Sequence, residues 1–244
     1  MNVLGIIPAR YLSTRLEGKP LADICGKPMI QRVYEQAKIA LGNVFVATDD
    51  QRIVDAVKAF GGQVIITAAE HTTGTSRCLE AYRNTGLEVD VIVNIQGDEP
   101  LLEPQQLDEI VNCFDDKTVD FATLIFPNVE ELRNGNGVYV TVDKDLNANW
   151  FSRAVIPYIR GIERNKWEKA HQFYKHVGMY AYTPKALEEF SKMEQTTYEK
   201  AESLEQLRWL ENGNRIRVGI TKHQTFAVDT IEDLERVRQL IQQK

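Results

Sequence analysis

Cysteine is scarce in this chain of 244 residues: Cys25, Cys78 and Cys113 are its three, widely spaced and without a C-x-x-C pair. Neither a disulfide framework nor a thiolate zinc site is expected from such a set. An excess of basic charge is missing too, since 29 Lys and Arg stand against 35 Asp and Glu for a formal net charge of -6. Nucleic-acid binding by broad neutralisation of backbone phosphates is excluded as a working mode. No apolar run approaches the roughly 20 residues of a membrane span, and no basic segment leads into an apolar one at the N-terminus. The expectation is a soluble, cytoplasmic protein with neither a membrane nor a nucleic acid as partner. The two commonest phosphate-binding motifs, GxxxxGK[ST] and GxGxxG, are absent as well.

What is present is ordinary globular composition, 43% hydrophobic and 26% charged, with one unusual stretch at the start. The apolar run Val3 to Ile7 stops at Pro8 and is followed by Arg10, Arg15 and Lys19, with the hydroxyls of Ser13 and Thr14 between them. This reads as a buried strand feeding a cationic loop. In an α/β protein such a loop lies at the carboxyl end of a strand, where cations, hydroxyls and backbone N–H groups suit a polyphosphate. A plain solvated basic loop has the same composition, so the rest of the chain has to decide between them.

Apolar runs at 44–47, 64–66 and 89–95 alternate with stretches of helical spacing at 28–41, 51–60 and around 77–82. Asp49 and Asp50 supply capping side chains for the second of these helices. This alternation predicts a mostly parallel sheet with helices on both faces. Its loops holding Arg10 to Lys19, Asp49, His71 to Arg77 and Gln96 to Glu99 should gather along one edge. After a helix past Pro104 the texture changes. Short runs at 121–126, 138–142, 150–151 and 177–182, separated by Gly, Asn and Pro, suggest mixed or antiparallel strands. The charged stretch 161–170 reads as exposed. Helices are expected at 184–193 and 201–212, a strand at 216–220, and a last helix from Thr230, where Thr230-x-x-Asp233 has the form of a capping box. The expected division is an α/β core of residues 1–114 and 185–244, with 115–184 an inserted mixed-strand lid or dimerisation region.

Asp98 follows the fourth strand in a Gly-containing turn, and Asp229 follows Phe226-Ala227-Val228 ahead of the last helix. Two aspartates at strand ends facing a cationic loop are hard oxygen ligands of the kind Mg²⁺ prefers when it bridges to phosphate. Equally, Asp98 could fix a turn and Asp229 a helix start.

Eight ordered blocks then fall together: Ile7-Pro8-Ala9-Arg10-Tyr11-x-Ser13-Thr14-Arg15-Leu16-x-Gly18-Lys19-Pro20-Leu21, Ala47-Thr48-Asp49-Asp50, His71-x-x-Gly74-Thr75-x-Arg77, Asn94-Ile95-Gln96-Gly97-Asp98-Glu99-Pro100, Phe151-Ser152-Arg153-Ala154-x-Ile156-Pro157, His176-x-Gly178-x-Tyr180, Leu204-Glu205-Gln206-Leu207-Arg208 and Val228-Asp229-Thr230-x-Glu232-Asp233-Leu234. Together they closely resemble the 3-deoxy-manno-octulosonate cytidylyltransferase (CMP-Kdo synthetase) family. The resemblance implies a Rossmann-like nucleotidyltransferase sheet and a Mg²⁺-dependent homodimer. The implied reaction converts CTP and the 2-keto-3-deoxy sugar acid Kdo to CMP-Kdo and pyrophosphate for lipopolysaccharide biosynthesis. Carried over by position, Arg10, Ser13, Thr14 and Lys19 hold the triphosphate, while His71, Gly74 and Arg77 line the nucleotide side. Asp98 and Asp229 are the metal ligands. Gln96, Arg153, His176, Tyr180, Glu205 and Gln206 match the sugar-side blocks, and Lys19, Asp98 and Arg10 form the implied catalytic set. His176 reads as a sugar hydrogen-bonder in preference to a general base.

Three positions depart from the family pattern. Ser76 stands where an acidic residue is usual, Tyr139 where Lys is common, and Glu17 where Pro is usual. The first two leave the sugar acid open between Kdo, an 8-amino analogue and a nonulosonate. A sugar-1-phosphate nucleotidylyltransferase and a catalytically silent nucleotide-sugar binder also remain as alternatives.

Overall fold

The computed structural model describes residues 1–12, 16–127, 132 and 137–243. Ser13 and Thr14, two of the expected triphosphate contacts, lie outside the described residues. The chain divides into two compact units, Met1–Asp108 with Thr225–Lys244 and Glu109–Gln224.

In the first unit β1 (Val3–Pro8) leads to a tight hairpin, β2 (Asp23–Ile24) and β3 (Lys27–Pro28), then to α1 (Met29–Ala40). The chain continues through β4 (Asn43–Thr48), α2 (Gln51–Ala59), β5 (Val64–Ile66), α3 (Gly74–Thr85) and β6 (Val91–Asn94). These four long-range strands pair in parallel in the order β6-β1-β4-β5. The near-continuous apolar sequence of β1 follows from that central place, since Leu4, Ile6 and Ile7 are fully buried. Each such side chain contributes roughly 1.5–3 kcal/mol relative to exposure. Helix α1 turns Met29, Ile30, Val33, Tyr34 and Ala37 inward, the helical spacing of its sequence. The hairpin has no sequence-based forecast: Cys25 and Gly26 take φ of 49° and 82°, the paired left-handed geometry of a two-residue turn.

The division between the units falls inside α4 (Pro104–Asn112). The second unit holds β7 (Phe121–Phe126), β8 (Tyr139–Val142), β9 (Ala148–Ser152), α5 (Trp167–Ala170), β10 (Tyr174–Tyr182), α6 (Pro184–Lys192), α7 (Thr197–Glu202), α8 (Leu207–Glu211) and β11 (Arg217–Ile220). Strand β7 takes β11 in parallel on one side and β10 antiparallel on the other; β8 then pairs antiparallel with both β10 and β9. Helix α9 (Ile231–Gln242) belongs to the first unit, packing Leu234 and Val237 with Ile24, Met29 and Val228. Its start is the expected capping box of Thr230 and Asp233.

Three expectations differ from the structure. Residues 185–224 belong with the mixed strands and not with the core, because β11 pairs with β7 and the Phe190 and Trp209 rings both pack on Phe121. The single helix at 201–212 is two, α7 and α8, broken where Ser203 adopts φ 52°. Within the charged 161–170 stretch Trp167 is buried, in a cluster with Tyr139, Val155 and Phe173. Tyr139 itself is fully buried in that cluster, so the departure at this position is a change of core filling. No helix among the described residues is long and apolar enough to cross a membrane.

Candidate active site

The carboxyl ends of β1, β4, β5 and β6 in the first unit carry the loops that sequence periodicity placed together. A cavity of about 290 Å³ opens there, and Arg10, Lys19, His71, Gly74, Arg77, Gln96, Asp98 and Asp229 all line it. These residues are spread over more than 200 positions of sequence, and the strand-loop-helix alternation is what collects them.

Lys19 sits at the centre of the charge arrangement. Its Nζ lies 2.7 Å from Asp98 Oδ2 and 3.1 Å from Asp229 Oδ1, so one ammonium holds two carboxylates at a common point. Gly18, with φ 66°, caps the short 3₁₀ turn Lys19–Leu21 that carries the side chain there. Asp98 follows the Gln96-Gly97 turn, where a Cβ on Gly97 would stand 3.1 Å from the Pro8 carbonyl, a tight approach that glycine relieves as the turn lies against β1. Asp229 is held by the start of α9, its backbone N–H donating to Asp233 Oδ2 at 3.1 Å, while Val228 N–H donates to the Asp98 carbonyl at 2.9 Å. Glu99, buried beside Asp98, has its pKa pushed up to about 8 by loss of solvation, with the Asp98 charge adding to the rise. Glu99 therefore adds little negative charge to this corner near neutral pH.

The nucleotide-side residues are equally constrained. Thr73 caps α3, accepting from Ser76 N–H at 3.2 Å, so the first turn of a 12-residue helix meets the cavity at Gly74. Unpaired N–H groups at a helix start suit a phosphate. Arg77 is buried, with Nη2 2.9 Å from Asp49 Oδ1 and Nη1 donating to Thr67 Oγ1 at 2.6 Å. Both ring nitrogens of His71 are engaged, Nδ1 with Ser76 Oγ at 3.0 Å and Nε2 in a short contact with Glu80. The imidazole contact holds the Glu80 carboxyl below its ordinary pKa, so Nε2 is the protonated donor. His71 thus offers the cavity a ring and not a free nitrogen. Glu80 is the supporting residue that sequence reasoning missed, the i, i+4 spacing of Ser76 and Glu80 on α3 being the available signal; Asp49, expected at this sheet edge, serves to hold Arg77.

The two candidate metal ligands pass a test of donor chemistry. Two carboxylates already converge on one cation, and no cluster of three or more His, Cys, Asp or Glu ligands occurs among the described residues. A Mg²⁺ at this corner would have Asp98 and Asp229 as protein ligands and take its remaining oxygens from phosphate and water, the pattern usual for that ion.

The second unit brings together the other sugar-side predictions, Gln96 being a cavity residue of the first. Tyr180 O–H donates to Gln206 Oε1 at 3.0 Å, and the rings of Tyr180 and His176 stand 5.3 Å apart. The Nε2 amide of Gln206 is buried with no hydrogen-bond partner among the described residues. Arg153 spends two of its donors on the backbone carbonyls of Glu202 and Ser203 at 2.7 and 3.3 Å. Glu205 lies 3.6 Å from Arg208, which forks onto the buried Glu199.

Burial drives the His176 pKa down to about 3, so the imidazole is neutral at physiological pH. A histidine whose folded pKa is depressed contributes stability that is fully present above the unfolded value near 6.5 and lost as pH falls toward the folded one. Between pH 7 and pH 4 the wild type should lose on the order of 1–3 kcal/mol through this group. His176→Gln should flatten that acid limb in urea titrations at the two pH values; parallel limbs in both proteins would exclude it as the source.

A parallel sheet whose loops build an anionic-ligand cavity with a paired carboxylate corner defines a nucleotidyltransferase. The cytidylyltransferase sequence family matches residues 4–216. The chain is 54% identical over 242 residues to the 3-deoxy-manno-octulosonate cytidylyltransferase of Parabacteroides distasonis, covering 97% of this chain and 96% of that one. It is 46% identical to an 8-amino-3,8-dideoxy-manno-octulosonate cytidylyltransferase of Shewanella piezotolerans, covering 96% of each. Among solved structures, CMP:2-keto-3-deoxy-manno-octonic acid synthetase complexed with CTP superposes with TM-score 0.92 at 41% identity, over 100% of this chain and 99% of that one. The chain belongs to the 3-deoxy-manno-octulosonate cytidylyltransferase family.

Proposed function

We propose that this enzyme transfers CMP from CTP to the anomeric hydroxyl of Kdo, releasing pyrophosphate. The observation that carries the reading is the convergence of Lys19, Asp98 and Asp229 at one corner of a cavity also lined by Arg10, Gly74 and Arg77. The sugar C2 oxygen forms a bond to the α-phosphorus and gives up its hydroxyl proton to water, while the bond from that phosphorus to the bridging oxygen breaks and pyrophosphate leaves. Such a displacement needs mainly alignment and neutralisation of phosphate charge. Arg10, Lys19 and the N–H groups at the start of α3 supply that charge and those donors. Arg77, locked by Asp49 and Thr67, shapes the nucleotide side. Asp98 and Asp229 would hold a Mg²⁺, which, when bound, lowers the pKa of a coordinated oxygen and offsets charge on the phosphates. The residues proposed for the hydroxyl-rich ligand in the second unit are Arg153, His176, Tyr180, Glu205 and Gln206. The same reading carries a cytoplasmic homodimer.

An 8-amino octulosonate is the second reading, favoured by the 46% identical relative of that name. Full burial of Tyr139 argues against it, since this departure fills the core. The test is pyrophosphate release with CTP and Mg²⁺, offering Kdo, 8-amino-Kdo, a sialic acid and a hexose-1-phosphate in parallel. Kdo is expected to turn over best. Turnover only with another sugar acid would transfer the assignment to it, and binding of CTP without release on any sugar would make the protein a silent binder.

A further inference from the structure

Strand β10 is irregular where it passes the candidate sugar-side residues. Val177 pairs with Leu124 and Tyr180 with Thr123, so three steps along β10 match one step along β7 and Gly178-Met179 bulge out of the ladder. Thr123, fully buried on β7, spans the irregularity: its Oγ1 lies 2.6 Å from the Met179 carbonyl, 3.3 Å from the Val177 carbonyl and 2.9 Å from His176 Nε2. A hydroxyl carries one hydrogen, and a carbonyl oxygen can only accept. The short bond to Met179 uses that hydrogen, so the hydroxyl oxygen must accept from His176. Nε2 therefore carries the ring proton and Nδ1 keeps its lone pair.

We propose that Thr123 is a positioning residue for the sugar side: by closing the Gly178-Met179 bulge and accepting from Nε2, it holds His176 in the one tautomer that presents Nδ1 as a hydrogen-bond acceptor to a ligand hydroxyl. The proposal rests on the reading of His176 as a sugar contact. Its surroundings support it. The ring is neutral because it is buried. It is wedged between Phe151 and Tyr180, with ring centroids 5.3 Å away in both cases, so it has little freedom to flip. Nδ1 makes no hydrogen bond to a described residue, and the Gln206 amide that accepts from Tyr180 keeps a buried Nε2 donor unspent among the described residues. An unspent acceptor on His176 and an unspent donor on Gln206 match a polyhydroxylated ligand, which brings hydroxyls able to play both parts. Leaving the ring free to exchange tautomers would spend part of the binding energy on selecting the right one.

Thr123→Val removes the hydroxyl at similar volume, Thr123→Ser keeps it, and Thr123→Ala repeats the removal should the valine disturb the bulge. In the wild type and Thr123→Ser, nitrogen-15 NMR of His176 at neutral pH should show Nε2 protonated and Nδ1 bare; in Thr123→Val the two forms should mix. The KM for Kdo should rise on the order of tenfold in Thr123→Val, the loss of one hydrogen bond, while the KM for CTP stays put and Thr123→Ser remains near wild type. A wild-type ring protonated at Nδ1 would overturn the proposal, as would a hydroxyl-free variant with an unchanged KM for Kdo. The tautomer signature is read without sugar. A protein that turned over no sugar acid would thus defeat the functional reading alone, leaving the state of His176 to be judged by its spectrum.

Discussion

Asp98→Asn should reduce pyrophosphate release by roughly a hundredfold to a thousandfold or more at saturating CTP and Kdo, the scale on which loss of a transition-state charge contact is felt. The substitution keeps the size of the side chain and leaves the backbone bond from Val228 to the Asp98 carbonyl in place. It removes the charge that, with Asp229, makes the corner a cation site. The fold should be nearly indifferent, because the Lys19–Asp98 pair is partly solvated and such pairs contribute at most about 1 kcal/mol. The check is kinetic and thermal together: turnover across a Mg²⁺ titration, with the melting temperature as control. Near-normal Mg²⁺-dependent turnover would remove Asp98 from the mechanism, and a collapsed melting temperature would make its role structural.

The largest expected effect on stability lies in the second unit, at Arg208. Its guanidinium forks onto Glu199, with Nε to Oε2 at 2.8 Å and Nη2 to Oε1 at 2.5 Å, and it lies 4.9 Å over the Phe190 ring. Both partners are buried, Arg208 at 7% and Glu199 at 4% exposure. Arg208→Met would strand an ionised carboxylate where water cannot reach it, a change that costs about 3–5 kcal/mol. For a chain of this size that corresponds to a fall in melting temperature on the order of 10 °C. Glu199 also completes the capping box of α7, so the helix start should loosen with it. Replacing both partners by apolar residues, Arg208→Met with Glu199→Leu, should recover much of the loss, because no charge is then left unpaired. A single variant within about 1 kcal/mol of wild type would show the pair to be solvated in solution.

The contrast between these two sites bears on what could be read from sequence. The cavity in the first unit was legible because it depends on topology: alternating strands and helices deliver loop after loop to one sheet edge, and the polar residues in those loops announce themselves. The helix starts at Asp50 and Thr230 were legible for a related reason, since capping is a local affair of neighbouring side chains. What stayed hidden depends on pairings across long sequence distances. Nothing near Thr123 tells that its hydroxyl meets a bulge more than 50 residues away. The break at Ser203 is invisible to periodicity, because a left-handed turn at a non-glycine residue carries little compositional signal. Trp167 was misjudged by its company: a charged stretch conceals one aromatic that anchors it, with its indole N–H donating to the Ile162 carbonyl at 2.9 Å. The boundary at 184 failed because helices α6 and α8 look like those of the core, whereas strand pairing and the aromatic cluster on Phe121 decide which unit they join.

The first unit is stitched from two stretches, 1–108 and 225–244, and the Lys19–Asp229 contact spans 210 positions. Lys19 and Asp98 precede Asp229 by 210 and 131 positions. A chain that stops before residue 225 lacks both the second carboxylate and the α9 residues that pack on Ile24 and Met29. The order of residues along the polypeptide therefore ties the charge corner to chain far from the opening strand: without Asp229 and α9 it keeps only the Lys19–Asp98 pair.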